Sequence, residues 1–583
     1  MTMTQLGTGV LTVLTVLTVL GTLPAAAAED CSGAVGGFAA LEGAVEVAHA
    51  EQSEWRTASL TTPLCEGDSI RVGANSRAAV RLVNDAVLRL DQNTTMRLVD
   101  VTDKPEQRTL LELVVGAFKS FSRAPRTMTV NTPYVNGMIE GTEFAMRVAD
   151  QTAQINVFEG TVRAVNAHGD LSLTHGQSAA VVAGAAPRAE TLVNPGDSVQ
   201  WALYYPPLLA TLGGAATPAA GAADTALDAA LARAGSGDIN GALALLAAMP
   251  ATAQSADSDA LRASLLLNVG QVTQARAAID AALGRTPGSS LALALRAMIE
   301  LVQNQRTQAL TDAQAAVASS SSAAASIALS YAQQSQLQLD RAQATLQAAA
   351  AAHPDDALVQ ARLAEMWLMH GDAVHALAAV HRAETLAPQL AKAQTVLGFA
   401  ELAANHARAA SARFEQAVAS VSADPLAHFG LGLALIKRGQ LAAGRRELET
   451  AVALDGSNAL LRPYLGKAYY EEKRAPLDGQ QLAIAKALDP ADPTAYLYDA
   501  IRKQTSNQPV AALHDLQQAI ALNDNRAVYR SRQLLDSDLA ARGASVARIY
   551  ADLGFQQRAL VEGWKSVNLD PGNFSAHRFL ADS

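Results

Sequence analysis

A chain of 583 residues, half of them apolar and only 4% aromatic, has material for several domains and an ample core. Its net charge of -10, with no basic stripe anywhere, excludes a nucleic-acid partner, because nothing in it would neutralise a phosphate backbone. Heavy alanine use beside few aromatics belongs to helical repeats rather than to disorder.

Residues 1–28 read as a secretory signal. An apolar run from Val10 to Leu20 is followed by Pro24 and by Ala26, Ala27 and Ala28 as a small-residue cleavage site. Lys and Arg are absent before Arg56, which departs from the usual positive start and puts the position of the first codon in question. The run is too short for a comfortable membrane span, and no later stretch is long and apolar enough, so the mature chain is expected to lack a transmembrane helix. Cys31 and Cys65 would meet an oxidising compartment after export. A disulfide between them closes a loop and stabilises by roughly 3 to 4 kcal/mol on the chain-entropy estimate. Lipid attachment at Cys31 is disfavoured by Ala28, Glu29 and Asp30 before it.

From Gly36 to Gly184 the apolar period is two. Arg77–Asp91 places Val80, Leu82, Val87, Leu88 and Leu90 in short strands around an Asn84–Asp85 turn. Ala153–Leu173 repeats the scheme, with turns expected at Glu159–Gly160 and at His168–Gly169–Asp170. An all-β domain follows, spanning 29–184. Its motifs come in a definite order: GDSIRVGANSRAAVRL from Gly67, LELVVGAFKSF from Leu111, MTVNTPYVNGMIEGTEFAMRV from Met128, then VFEGTVRAVN and LTHGQSAAV. This order resembles the FecR-type periplasmic domain. The resemblance implies a β fold, sandwich or solenoid-like, and a place outside the inner membrane of a Gram-negative bacterium. In that family the domain passes a receptor signal to a sigma-factor regulator through one membrane span. Here a signal peptide stands where that span would be, which puts transmembrane signalling in doubt.

Residues 185–224 form a joint. Pro187, Pro195–Gly196 and the WALYYPPL run from Trp201 to Leu208 end the β domain, and LGGAATPAAGAAD supplies a spacer. Trp201, Tyr204 and Tyr205 are read as a wedge between the β domain and the first helices in preference to a ligand platform.

Residues 225–583 repeat every thirty-four residues. Leu261, Leu295, Leu329, Leu363, Leu397, Leu431 and Leu465 form one ladder, and Ala349, Ala383, Ala417, Ala451, Ala485 and Ala519 another. Each unit reads as two helices: Leu363–Ala364 on the first, Gly371 at the turn, Ala376 and Ala383 on the second, and Pro388 at the end. The unit resembles the tetratricopeptide repeat, most clearly over 355–525, and implies stacked helix pairs in a superhelix. The whole fold is thus α+β and multidomain, an all-β domain followed by an all-α superhelix. The same modules occur together in large exported bacterial proteins, whose front part this chain resembles.

After Ala519 the ladder resumes at Ser566, forty-seven residues on, so about thirteen residues are inserted and a longer first helix is expected there. Asn573–Ser583 opens another first helix, either a cap or the start of further repeats.

The chain carries no Gly-Lys-Ser/Thr phosphate loop, H-E-x-x-H, G-x-S-x-G or paired cysteines at zinc spacing. His370, His375 and His381 do not share a helical face, so no metal is assigned. Glu140 and Glu143 flank Gly141–Thr142, and one of them is expected to be a solvated strand residue. No catalytic residue and no cofactor are assigned. The resemblance to tetratricopeptide repeats implies a groove of first-helix residues: Arg362, Glu365, Lys392, Phe399, Phe429, Leu433, Lys437, Lys467 and Tyr470. These suit an extended or helical peptide, with Lys437 or Lys467 meeting a carboxylate. Several of them, Phe429 and Leu433 first, read equally well as helix-packing residues. The expected function is a non-enzymatic exported adaptor that holds protein partners in the periplasm or at the outer membrane. A FecR-type envelope signalling regulator is the alternative, and a cell-wall or polysaccharide binder the second alternative.

Overall fold

The computed structural model describes residues 33–50, 54–104, 108–122, 128–190, 195–209, 226–522 and 534–583. The signal segment and Cys31 lie outside the described residues. Among the described residues, fifteen strands between Gly36 and Glu190 join in one sheet, and helices follow from Ala226 to Asp582. No described helix is long and apolar enough to cross a membrane.

The strands form where the apolar period is two. In Ser69–Val72, Ile70 and Val72 are buried while Arg71 is exposed. Asp85, with positive φ, closes the expected turn between Arg77–Leu82 and Val87–Leu90. Thr109–Phe121 is the hub: its first half pairs with Thr95–Asp100, and its second half with Val87–Leu90 and Asn136–Ala149. The exchange happens at Gly116, whose φ is +98 and where a Cβ would come within 2.3 Å of Thr94 Oγ1. Only glycine fits there.

One expected turn is absent. Glu159–Gly160 lies inside the continuous strand Thr152–Asn166, and the chain reverses instead at Asp150–Gln151, both with positive φ. Gly160 has φ +87. The partner strand slips register between Glu140 and Phe144, so the Glu-Gly pair belongs to an irregularity within the ladder and not to a reversal.

Two strands are buried on both faces. Ala78, Val80, Leu88 and Leu90 pack into the β core, whereas their alternates Ala79 and Val87 join the core cluster of the helices, together with Ala40 and Phe121. A face that alternation alone assigns to solvent is therefore covered by the superhelix.

The helices pair as the ladders require. Every ladder leucine from Leu261 to Leu465 and every ladder alanine from Ala349 to Ala519 is buried. First helices of thirteen residues, such as Ala357–Met369 and Ala391–Ala403, alternate with second helices of fourteen, such as Ala373–Leu386 and Ala407–Ser420. Starts are fixed by caps: Asp356, Asp424 and Asp492 each accept a backbone N–H of the first turn, and Pro425 and Pro493 follow two of them. The turn inside each pair needs a left-handed residue, and positive φ recurs at Gly270, Asn304, Leu337, Gly371, Asn405, Gly439, Lys473 and Asn507. The first part of the inserted stretch, 523–533, lies outside the described residues; from Leu534 on the chain forms a helix of nineteen residues, Leu534–Asp552, and Phe574–Asp582 opens with Asn573 as its cap. The fold is a β-rich region followed by a tetratricopeptide-like superhelix.

Candidate functional site in the lumen of the superhelix

Successive first helices advance around a curve, and the curve nearly closes. Arg306, at the start of the helix Arg306–Ser319, lies 3.3 Å from Asp489, beyond the end of Leu477–Leu488. Ser457 Oγ donates to the Val302 carbonyl at 3.3 Å. Residues more than 150 positions apart thus face one another across an enclosed space.

The β domain seats against the same turn at several points. The Leu41 backbone N–H donates to Ser422 Oγ, and that hydroxyl donates back to the Leu41 carbonyl, both at 3.0 Å. Arg445 reaches Asp85 at 3.2 Å, and Arg462 reaches Glu143 at 3.1 Å. On the near side, Arg77 ties Glu42, the Trp201 carbonyl and the Asn268 carbonyl together at 2.6, 2.8 and 2.9 Å. The strand pair, the joint and the first helices share this one guanidinium. Arg77 and Arg89 hold the buried Glu42 carboxyl below its usual range, overcoming the upward push of burial.

The joint enters the lumen. Trp201 packs on Ala117 of the β domain, while Tyr205 and Leu208 join the helix core. Burial pushes the Tyr205 hydroxyl up to about 12 and raises that of Tyr204 well above its ordinary value. The wedge expected from the sequence is what these contacts describe.

Between this wedge and the helix ends lies a cavity of about 310 Å³. One side is made by the ends of early first helices, including Leu267, Leu301 and Ser335, and the other by the starts of later ones, including Leu358, Lys392, Leu426 and Leu460. The second set repeats at thirty-four residues, because it is one position of the unit seen from inside. Such a volume suits a small molecule, and among the described residues nine charged ones, six of them acidic, stand in its apolar lining.

The nine groove residues expected from the sequence do not stay together. Glu365 and Lys392 line the cavity, 2.7 Å apart. Arg362 is 1% exposed, bonded to Glu365 and Ser330 and stacked 3.8 Å over Tyr331. Phe399 and Phe429 are core residues in a run of ring contacts that continues through Tyr464 to Tyr498. Leu433 packs against the same core. Those four are held as packing residues and offer a partner little surface, since the fold already uses their faces. Lys437 is exposed and donates to the Leu402 carbonyl, and Lys467 pairs with Glu471 and lies 4.7 Å over the Tyr470 ring. Of the two flanking glutamates, Glu140 is exposed and Glu143 is buried against Arg462. Tyr204, expected as part of the wedge, lines the cavity, together with two residues that the sequence did not single out, Asp424 and Asp455. A signal was present, since Leu390, Asp424, Asn458 and Asp492, and Val421, Asp455 and Asp489, are further thirty-four-residue ladders in the inter-repeat loops.

The histidines hold no common centre: His375 stacks on Trp367 and bonds Asp372, and His381 bonds Glu384. His49, Cys65 and Asp68 converge within 4.8 Å of one another. There Asp68 already accepts the Cys65 backbone N–H at 2.8 Å and meets His49 at 3.0 Å, and the Cys65 sulfur is not a free thiol.

Residues 68–163 match the family model described as FecR protein. The chain carries a FecR domain. The match runs from the Asp68 turn through the hub strand to near the end of Thr152–Asn166, so the FecR domain includes Asp85 and Glu143, two of its anchors on the superhelix. Among curated proteins, none matches this chain in sequence. Among solved structures, the APC/C hetero-tetramer Cut9–Hcn1 is similar at 15% identity over 61% of this chain and 82% of that one, with a TM-score of 0.41. PilF of Pseudomonas aeruginosa is similar at 16% identity over 39% and 97%, with a TM-score of 0.31. A candidate anti-sigma factor from Parabacteroides distasonis is similar at 17% identity over 24% and 67%, with a TM-score of 0.21.

Proposed function

We propose that this chain is a non-enzymatic adaptor of the bacterial envelope, exported by its N-terminal signal, whose tetratricopeptide-like superhelix holds a protein partner. The observation that carries the reading is the union of a FecR domain with a stack of helix pairs through buried ion pairs such as Arg462–Glu143. Such a union gives one continuous packed body whose outward helices remain available as a surface. Export to an oxidising compartment would join Cys65 to Cys31 and fix the first strands. Lys437, Lys467 and Tyr470 are the members of the expected groove that keep solvent-facing surface, and they are the contacts proposed for an acidic partner segment. Affinity purification of the exported full chain, beside the double variant Lys437→Glu and Lys467→Glu, tests this. The expected result is loss of a specific envelope protein with both changes; identical partners would remove the groove.

The FecR domain also supports a second reading, relay of an envelope signal to a sigma-factor pathway. Deleting the chain should then change transcription from sigma-dependent promoters, and unaltered transcription would dismiss that role.

A further inference from the structure

The lumen cavity has an unbalanced set of charges. Three cations line it, and each is engaged: Arg77 with Glu42, Lys392 with Glu365 and Arg306 with Asp489. Asp424 and Asp455 also line it, 5% and 7% exposed, with no cation within ion-pair distance among the described residues. Their hydrogen bonds come from neutral donors, the Leu426 N–H and Thr395 Oγ1 to Asp424, and Ser457 Oγ and Asn458 Nδ2 to Asp455. Burial pushes both carboxyls up, against the charges of Lys392 and His428 near Asp424 and of Lys119 and Arg462 near Asp455, so a cation entering the cavity would stabilise their ionised forms. The Tyr204 hydroxyl, on the same wall, has no hydrogen-bond partner among the described residues. It feels the charges of both aspartates.

Pro206, Pro207, Leu390, Leu426 and Leu460 supply apolar wall, and Asn268, Asn304, Gln334 and the capping residue Asp492 add polar groups among them. The occupant must be small. The contacts Arg306–Asp489 and Ser457–Val302 join one wall to the other, and the Tyr204–Pro207 segment fills part of the floor. A bare metal ion fits poorly, because the described groups that converge at metal distance include neither aspartate.

We propose that the cavity binds a small aliphatic diamine, with Asp424 and Asp455 as the carboxylate partners of its ammonium groups and Tyr204 as a neutral acceptor. Each ammonium donates three hydrogen bonds, and the carbon chain lies against the prolines and leucines. This goes beyond the adaptor reading and does not depend on it.

The test is calorimetric titration of the full chain at neutral pH with 1,4-diaminobutane, and with 1,4-butanediol as the uncharged isostere. Saturable binding of the diamine and none of the diol is the expected result. Asp455→Asn and Asp424→Asn keep the local hydrogen bonds and are expected to weaken diamine binding roughly tenfold or more while the far-ultraviolet spectrum is unchanged. Asp355→Asn, at an exposed carboxylate outside the cavity, should bind as the unaltered chain does. No saturable binding at millimolar diamine, equal binding of the diol, or undiminished binding by folded Asp455→Asn would each overturn the proposal. The partner purification with Lys437→Glu and Lys467→Glu is a separate readout, so either idea can fail alone.

Discussion

Arg462 of the superhelix meets Glu143 of the FecR domain at 3.1 Å, and both are almost fully buried. The same guanidinium donates to the Gly456 carbonyl at 2.9 Å and to Gln481 Oε1 at 3.0 Å, so a single side chain is fixed by two repeats and aimed at a third element. Removing one member of a buried pair costs about 3–5 kcal/mol, since the survivor keeps its desolvation without its countercharge. Arg462→Met should therefore lower stability by about that much in chemical denaturation. The double variant Arg462→Met with Glu143→Leu should recover most of the loss. If the double variant is as unstable as the sum of the single changes, the pair is not what joins the domains.

Arg77 is the corresponding joint on the near side. Arg77→Met removes the donors to the Trp201 and Asn268 carbonyls and the countercharge of Glu42. The expected consequence is faster cleavage of the Trp201–Leu208 segment by a broad-specificity protease, with the β core retained. Unchanged protection would show that the Tyr205 and Leu208 packing alone holds the joint.

Close approach of helices is set by glycine at Gly430, where an added Cβ would come within 2.2 Å of Phe414 Cζ. Phe414 is fully buried and cannot swing aside cheaply. Gly430→Ala should cost about 1–3 kcal/mol through overpacking, although alanine is the better helix former. A thermal midpoint equal to or above that of the unaltered chain would contradict the packing described.

Two aspartates should give opposite pH signatures. Burial raises Asp455 from 3.8 to about 6, so its protonated form is favoured in the fold; its contribution is full below about pH 4 and is lost as pH rises through about 6. Asp499 is pushed up by burial, but Lys486, Lys503 and Arg502 prevail and hold it at about 2. Its contribution is present above about pH 4 and is lost as pH falls toward 2. Denaturant midpoints measured across pH should show a decline between about 4 and 6 that Asp455→Asn abolishes, and an acid loss that Asp499→Asn reduces. A variant profile parallel to the original would refute that residue's assignment.

Much of this was legible in the chain itself. The Leu261 and Ala349 ladders identify buried contact positions because a repeat of constant length puts one residue at one place in every unit. Capping by Asp356, Asp424 and Asp492 is equally local, since an N-cap needs only its own first turn. Glu159–Gly160 misled because a left-handed glycine serves a turn and an irregular strand alike, and the neighbouring strand selects between them. The resemblance to the tetratricopeptide repeat puts Arg362, Phe399 and Phe429 on a groove; their burial depends on how far adjacent pairs rotate, which periodicity does not encode.

The two architectures, the thirty-four-residue unit and the order of the FecR motifs can be read from the residues alone, because each is written in neighbouring residues and short periods. That the superhelix turns back on itself, that Ala79 and Val87 of the strands face helices, and that Asp424 and Asp455 line an enclosed space follow from how the whole chain packs. Those relations join residues hundreds of positions apart, and they are set by the accumulated angle between successive helix pairs, a quantity that no single repeat contains.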